Sequence, residues 1–432
     1  MYAPEAGTPQ HIVWLAVHKS RATLSISANL NYQTLLEEEL GAEGVTRFRS
    51  QLLAEGVAPE DYLLMPAHGW QWHNRLAMFF AADIANRMIV CLGLSEDAYL
   101  AQQSIRTFFN ISAPHKRYVK TSLSVLNMGF MRGLSPYYML ATPAINDQVK
   151  AMVAADPYLQ GKGFDILREV AAIGYRNPYY EAGIQENNAY KKMLSCLWRE
   201  SPLPHLKEGE RLMTMTALLH IDNEGQSLLA ALIEASGLPV QAWVDAYLDV
   251  YLSPLLHCFH QHDLVFMPHG ENLILVMKGH RPVRALMKDI AEEVAIFDKD
   301  AVLPEAVQRM AVDVPDHLRT LSLFIDVFEG FLRHLAAILH QHAGYIDADF
   351  WQRVAVCVHR YQAEHPGLES QVRTGRPVCR RLCPLLPEPA ADRQQPAHAE
   401  SGGPGRQPSV RRASGQSTGR LAGCSHDQNV SS

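Results

Sequence analysis

Two groups of residues hold most of the chemistry in this chain of 432 residues. The first runs Gln103-Ser104-Ile105-Arg106-Thr107 and is followed by Tyr118, Lys120 and Arg132. The second is His269-Gly270-Glu271-Asn272, with Asp289 beyond it. Hydroxyls, three cations, an amide and a carboxylate form the inventory needed to hold a nucleoside triphosphate and its metal. Arg binds phosphate oxygens bidentately and Lys acts as a point charge. Mg²⁺ takes oxygen ligands and keeps phosphates and waters bound to it. An ATP-using enzyme is therefore the leading reading.

The elements that must position these residues follow from spacing. Residues 99–107 continue a strand pattern, which puts Ser104 and Arg106, two apart, on one face of a strand. Thr107 adds a hydroxyl at its end, and Lys120 lies on the expected partner strand over 118–125. The alternative is a solvated basic strand face. His269 to Asn272 fall in the turn between apolar runs at 264–267 and 273–277, and Asp289 follows a third run at 283–287. This layout resembles the metal-holding Asn and Asp of protein kinases, as an analogy of arrangement. Asn272 and Asp289 are candidates to share a Mg²⁺, with His269 on the transferring phosphate or a substrate carboxylate. The alternative is an Asn/Gly turn with a satisfied histidine. His257, His260 and His262 are spaced three and two apart around a helix end, so they do not share one face; a helix terminus is favoured over a metal site. His340 and His342 are read the same way. No Gly-x-x-x-x-Gly-Lys, Gly-x-Gly-x-x-Gly or Gly-x-Ser-x-Gly loop occurs, so a bound ATP is not held by a Walker loop.

The surrounding pattern is α+β. Residues 11–28 read as a hairpin, 31–56 as a helix with Leu35, Leu36 and Leu40 on one face, and 62–65 as a strand leading into His68-Gly69-Trp70-Gln71. From about residue 145 the pattern becomes mainly helical, most clearly over 238–262 and 317–342. Three regions are expected: a β-rich part over 1–145 with the phosphate motif, a mostly helical part over 146–372 with the His269 turn and Asp289, and 373–432. From Gly375 onward there is no Ile, Met, Phe, Tyr, Trp or Lys, so the last part is expected to be disordered. Its abruptness fits an out-of-frame reading of a GC-rich gene. The net charge of −6 gives no general attraction to nucleic acid or an anionic membrane. No apolar run approaches the about 20 residues of a membrane helix, and the first residues lack the features of a secretory signal. A cytoplasmic location follows by default. The seven cysteines form no Cys-x-x-Cys pair and are read as free thiols.

Residues 103–110 and 118–135, read in order, resemble the siderophore synthetases that work independently of nonribosomal peptide synthetases, the aerobactin-synthetase-like family. His68-Gly69-Trp70-Gln71 is similar to that family's His-Pro-Trp-Gln motif, and His269-Gly270-Glu271-Asn272 to its His-Gly-Gln-Asn motif. The resemblance covers roughly residues 1–372, and the 103–135 segment resembles above all the alcaligin, putrebactin and desferrioxamine branch. It implies a hand-like fold with fingers and palm, antiparallel sheets and a helical bundle, with the thumb largely missing because the chain opens late in the family pattern. It also implies activation of a carboxylate by ATP and Mg²⁺ as an acyl-adenylate, then amide formation with an amine in hydroxamate siderophore biosynthesis. In this branch the acid is an N-hydroxy-N-succinyl diamine. Carried across, Ser104, Arg106, Thr107 and Lys120 hold ATP phosphates. Arg132 and His269 are catalytic, Asn272 binds nucleotide and metal, and Asp289 binds metal. His68 and Gln71 contact substrate or are structural. Partners are small-molecule acid and amine substrates, with no nucleic acid and no membrane, and the pattern allows a homodimer. The rival readings are a truncated remnant that only binds nucleotide or partner subunits, and an iron-binding or ferric-reductase protein. The latter is disfavoured because Cys and His do not cluster with ligand spacing.

Overall fold

The computed structural model describes residues 4–127, 129–184 and 188–366; the tail expected over 373–432 lies outside them. The first strand, β1 (Val13–His18), has five consecutive buried residues. A strand covered on both faces belongs in the middle of a sheet. It pairs antiparallel with β3 (Tyr62–Ala67) on one side and β4 (Ile89–Leu94) on the other. The expected hairpin does not form. The chain does turn tightly after β1, with the Arg21 N–H on the His18 carbonyl at 2.9 Å. However, β2 (Ala22–Ile26) then leaves to pair with β11 (Glu169–Tyr175) in another sheet.

That second sheet is antiparallel, in the order β2-β11-β12-β7-β6-β5. Here β5 is Tyr99–Ala101, β6 Thr107–Asn110, β7 Tyr118–Thr121 and β12 Ser195–Arg199. It draws strands from both sides of residue 145, so the region boundary expected there does not divide the sheet. Helix α1 (Tyr32–Ala54), capped by the Asn31 side chain on the Thr34 N–H, covers the expected range but is broken at Gly41, whose φ is 72° and ψ 162°. Trp14 of β1 packs against Phe48 of α1 and Trp198 of β12, at ring centroid distances of 6.2 and 6.4 Å, joining both sheets and the helix in one core. A two-stranded ribbon, β8 (Leu126–Asn127) with β9 (Phe130–Met131), delivers Arg132.

The remaining elements surround a third sheet, β10-β16-β15-β13. Its members are β10 (Asp165–Ile166), β13 (Glu210–Thr214), β15 (Leu273–Lys278) and β16 (Arg281–Met287). The pair β10 and β16 is parallel and the others antiparallel. Strands β14 (Leu264–Val265) and β17 (Ala295–Ile296) form a separate pair. The helices are α2 (Thr142–Ala155), α3 (Pro157–Lys162), α4 (Leu228–Ser236), α5 (Val240–His262), α6 (Arg333–Ala343) and α7 (Asp347–Glu364). The apolar face of α5, including Trp243, Tyr247 and Tyr251, is fully buried in the core beneath the third sheet.

The single helix expected over 317–342 is broken. Short turns at Asp316–Arg319 and Leu321–Leu323 lead into a wide π-helical segment, Phe324–Leu332, before α6. Gly330 permits this, since a Cβ there would stand 2.9 Å from the Ile325 carbonyl oxygen. Such wide turns recur at functional sites. Among the described residues no helix is long and apolar enough to cross a membrane.

Candidate active site

The segment from Gln102 to Arg106 is a turn between β5 and β6, not a strand. The Ile105 N–H reaches the Gln102 carbonyl and the Gln102 N–H the Thr107 carbonyl, both at 2.7 Å. Ile105 itself has φ of 57°, a conformation a β-branched residue adopts only at a cost. Ser104 and Arg106 therefore do not share a strand face. The turn instead lets the Ser104 hydroxyl donate to the Thr107 hydroxyl at 2.8 Å. Arg106 reaches the carbonyls of Arg132 and Gly133, at 2.8 and 2.7 Å. Arg132 is thus tied to the phosphate motif through its own backbone.

Lys120 does lie on a strand partnered with the motif, opposite Thr107 in β6 and Leu197 in β12. Its ammonium bonds Asp289 at 2.6 Å. Asp289 sits two residues past the end of β16, with φ of 58°. Its other oxygen receives Arg199 at 3.1 Å and Lys288 at 3.3 Å. One carboxylate is thus held by three cations. Burial raises its pKa, yet Lys120, Lys288 and Arg199 outweigh that and hold it well below the usual carboxylate range. Glu169 is buried behind Lys120 at 3.9 Å, and burial pushes its carboxyl up. Arg199 lies against the ring of Tyr118, with 5.1 Å from guanidinium carbon to ring centroid.

The second motif closes the same space. The Asn272 N–H bonds the His269 carbonyl at 3.0 Å, the Asn272 carbonyl accepts the Lys288 N–H at 2.9 Å, and the Gly270 carbonyl accepts the Thr216 N–H at 2.9 Å. Gly270 is required by close approach: a Cβ would stand 2.5 Å from the Thr216 hydroxyl and 2.8 Å from the Phe331 ring. His269 accepts the Glu271 N–H on Nδ1 at 3.3 Å, which leaves the ring proton on Nε2. Burial lowers its pKa, so the ring is a neutral donor near pH 7. Asn272 donates to the Met267 carbonyl at 3.2 Å and to Glu293 at 2.5 Å. Glu293 is pushed up to about 7, first by burial and then by the neighbouring charge of Asp289.

Both motifs line one cavity of about 370 Å³, with Ser104, Arg106, Thr107, Lys120 and Arg132 facing His269, Asn272 and Asp289. That volume lies within the about 300–1,000 Å³ of small-molecule sites. The buried Nε–H groups of Arg106, Arg132 and Arg199 have no acceptor among the described residues. Unpaired buried donors need an explanation, and an anionic ligand in this cavity would supply one. The donor set also suits Mg²⁺, which needs only one or two carboxylates beside phosphate oxygens. Asn272, Glu293 and Asp289 would supply the oxygens.

Sequence reasoning did not single out Arg199, Lys288, Glu292 or Glu293, which also line the cavity. A signal existed: Arg199 ends an otherwise apolar buried strand, and Asp289 is followed by Glu292-Glu293 in the same segment. His68 and Gln71 do not line it. His68 caps Trp70 through Nδ1 at 3.0 Å and packs on Phe108 with ring centroids 5.3 Å apart. Gln71 bonds the Ser124 hydroxyl and the Met193 carbonyl, each at 2.9 Å, and accepts the Ser124 N–H at 2.8 Å. These contacts hold Gln71 against the loop that leads to Arg132 and His68 against β6.

A turn between two strands, a neighbouring hairpin and five converging basic side chains line one cavity of an α+β fold. The comparisons with known proteins make this specific. Residues 1–220 match the IucA / IucC family and residues 241–397 match the ferric iron reductase FhuF-like transporter description. The chain belongs to the IucA / IucC family. It is similar to the putrebactin synthase of Shewanella sp. (strain MR-4), 52% identical over 367 residues, covering 85% of this chain and 58% of that protein. The chain thus spans little more than half the length of that relative. Its fold is similar to the petrobactin biosynthesis protein AsbB of Bacillus anthracis str. Sterne, with TM-score 0.78 and 26% identity over 86% of this chain and 63% of that one. It is likewise similar to the aerobactin synthetase IucC of Klebsiella pneumoniae, with TM-score 0.77 and 29% identity over 86% and 66%.

Proposed function

We propose that this chain carries the adenylating site of a siderophore synthetase and joins a carboxylate to an amine at the expense of ATP. The observation that carries the reading is the meeting of the two motifs in one cavity through the 2.6 Å contact of Lys120 with Asp289. Ser104, Thr107, Arg106 and Lys120 would hold the phosphates. Asn272, Glu293 and Asp289 would hold Mg²⁺, which supplies charge neutralisation of the polyphosphate. Because Asp289 is held by three cations, its oxygens become available only as phosphate takes those cations over. The substrate carboxylate attacks the α-phosphorus, the bond to pyrophosphate breaks, and an acyl-adenylate forms. Arg132 and the neutral Nε2–H of His269 would stabilise the negative charge gathering on the transferring group. The amine then attacks the acyl carbon, giving the amide and AMP, and its proton leaves to solvent.

The 52% identity to a putrebactin synthase, together with the form of the 103–135 segment, supports an N-hydroxy-N-succinyl diamine as the acid and a hydroxamate as the product. Pyrophosphate release by the purified chain, with ATP, Mg²⁺ and N-hydroxy-N-succinyl diamines of different length, tests this. Release that depends on one such acid is expected. ATP binding without release under every acid would leave a protein that only binds nucleotide.

A further inference from the structure

A second set of ligating side chains lies at the C-terminal end of α5, and none of it lines the cavity described above. Asp156 caps α3: its Oδ1 accepts the N–H groups of Tyr158 and Leu159 at 2.9 and 3.0 Å. Its Oδ2 faces two imidazoles, the Nε2 atoms of His257 at 2.9 Å and His262 at 2.8 Å. These three ligand atoms all lie within 4.8 Å of one another. The spacing of His257 and His262 does not suggest a shared target, because the partner carboxylate comes from a different helix. Their convergence depends on α5 ending at Asp263, which adopts φ of 47°.

The atoms behind the set are also arranged. Without a metal, His257 Nε2–H donates to Asp156 at 2.9 Å and Nδ1 accepts from the Tyr361 hydroxyl at 3.2 Å; an ion on Nε2 would move the ring proton to Nδ1, which then donates to Tyr361. Partners on the second ring nitrogen are the usual way a metal-bound histidine is oriented. Tyr158 stacks on the His257 ring at 4.4 Å and 19°. His365 stands beside it at 5.0 Å between ring centroids. The side chains of His257 and Asp156 are 6% and 11% exposed, and that of His262 is 26% exposed, leaving a route from solvent.

We propose that Asp156, His257 and His262 form a site for a divalent transition-metal ion, with Zn²⁺ as its representative. Two imidazole nitrogens and one carboxylate oxygen favour such an ion over Mg²⁺ or Ca²⁺. At metal–ligand distances of about 2.0–2.2 Å, tetrahedral ligand atoms stand roughly 3.3 Å apart. The N–O separations need open only by a few tenths of an ångström, and the two imidazoles close onto the same ion. Water on the His262 side completes the coordination. The ion staples α3 to α5 and, through Tyr361, to α7.

The test uses the untagged full chain, freed of metal by a chelator and titrated with Zn²⁺ against a chromophoric competitor. One equivalent is expected to bind and to raise the melting temperature. Asp156→Asn and His262→Gln each should weaken binding at least tenfold, while Asp289→Asn, in the other site, leaves it unchanged. Co²⁺ should give the visible bands of a low-coordinate site in the wild type and lose them in His262→Gln. Circular dichroism checks that the variants are folded. Absence of binding in the wild type, or equal binding in the folded Asp156→Asn and His262→Gln variants, overturns the proposal.

Discussion

Replacing Asp289 by Asn probes the electrostatic centre of the candidate active site. The carboxylate neutralises Lys120 at 2.6 Å, Arg199 at 3.1 Å and Lys288 at 3.3 Å. Their side chains are only 10%, 5% and 12% exposed. At these distances each attraction is worth several kcal/mol even with an effective dielectric of about 20. Much of that repays the desolvation of the charges, so the net effect is read from the cost of breaking a buried pair, about 3–5 kcal/mol. With an unfolding entropy of about 2.1 cal/mol/K per residue, that is a drop in melting temperature of roughly 3–6 °C for a chain of this size. Scanning calorimetry of the ligand-free protein measures it. Tripolyphosphate without Mg²⁺ should restore more stability to the variant than to the wild type, because the anion then meets three cations that have lost the carboxylate they shared. A melting temperature within about 1 °C of wild type, on a scale where the expected drop is several degrees, would refute the claim that Asp289 balances the cluster.

Three further outcomes follow from particular contacts. Gly270→Ala places a methyl 2.5 Å from the Thr216 hydroxyl and should cost about 1–3 kcal/mol as overpacking. It should also weaken nucleotide binding by shifting His269 and Asn272; equal melting and equal ATP affinity would remove the close approach from the explanation. Gln71→Ala leaves the Ser124 N–H without its 2.8 Å partner and should lose about 1–3 kcal/mol of stability, read by urea unfolding, with KM for the acid unchanged. A raised KM with unchanged stability would instead make Gln71 a substrate contact. Glu39 is raised from 4.5 to about 7, chiefly by burial, with Arg117 opposing. Its stability contribution is therefore fully present below about pH 4.5 and lost as pH rises through about 7, on the order of 3 kcal/mol. Glu39→Gln should flatten the fall in melting temperature between pH 5 and 8, and an unchanged slope would count against that origin.

Much of the lining of the candidate site was legible because its residues sit in short, contiguous motifs. The helices over 31–56 and 238–262 and the turn before Arg281 were legible from periodicity and local turn chemistry. What failed was pairing and conformation. The run from Val13 to Val17 alternates too little for a two-stranded hairpin, and its burial on both faces, not the nearby turn, chose its partners. Nothing in an isoleucine announces positive φ, so the turn at Ile105 read as strand. Arg199 and Glu169 gain their roles from strands distant in sequence that align opposite one another. Likewise, Asp156 meets His257 and His262 only through helix packing, which spacing along one helix cannot express.

The central claim is that the two motifs form one adenylating site. Acid-dependent pyrophosphate release by wild type, Arg132→Ala and Asn272→Ala tests it most directly, with circular dichroism confirming the folds. Loss of a transition-state charge contact should cost Arg132→Ala about 10²–10³ in turnover, and Asn272→Ala should lose Mg²⁺-ATP-dependent release as well. Turnover at the wild-type rate in either folded variant would contradict a single shared site.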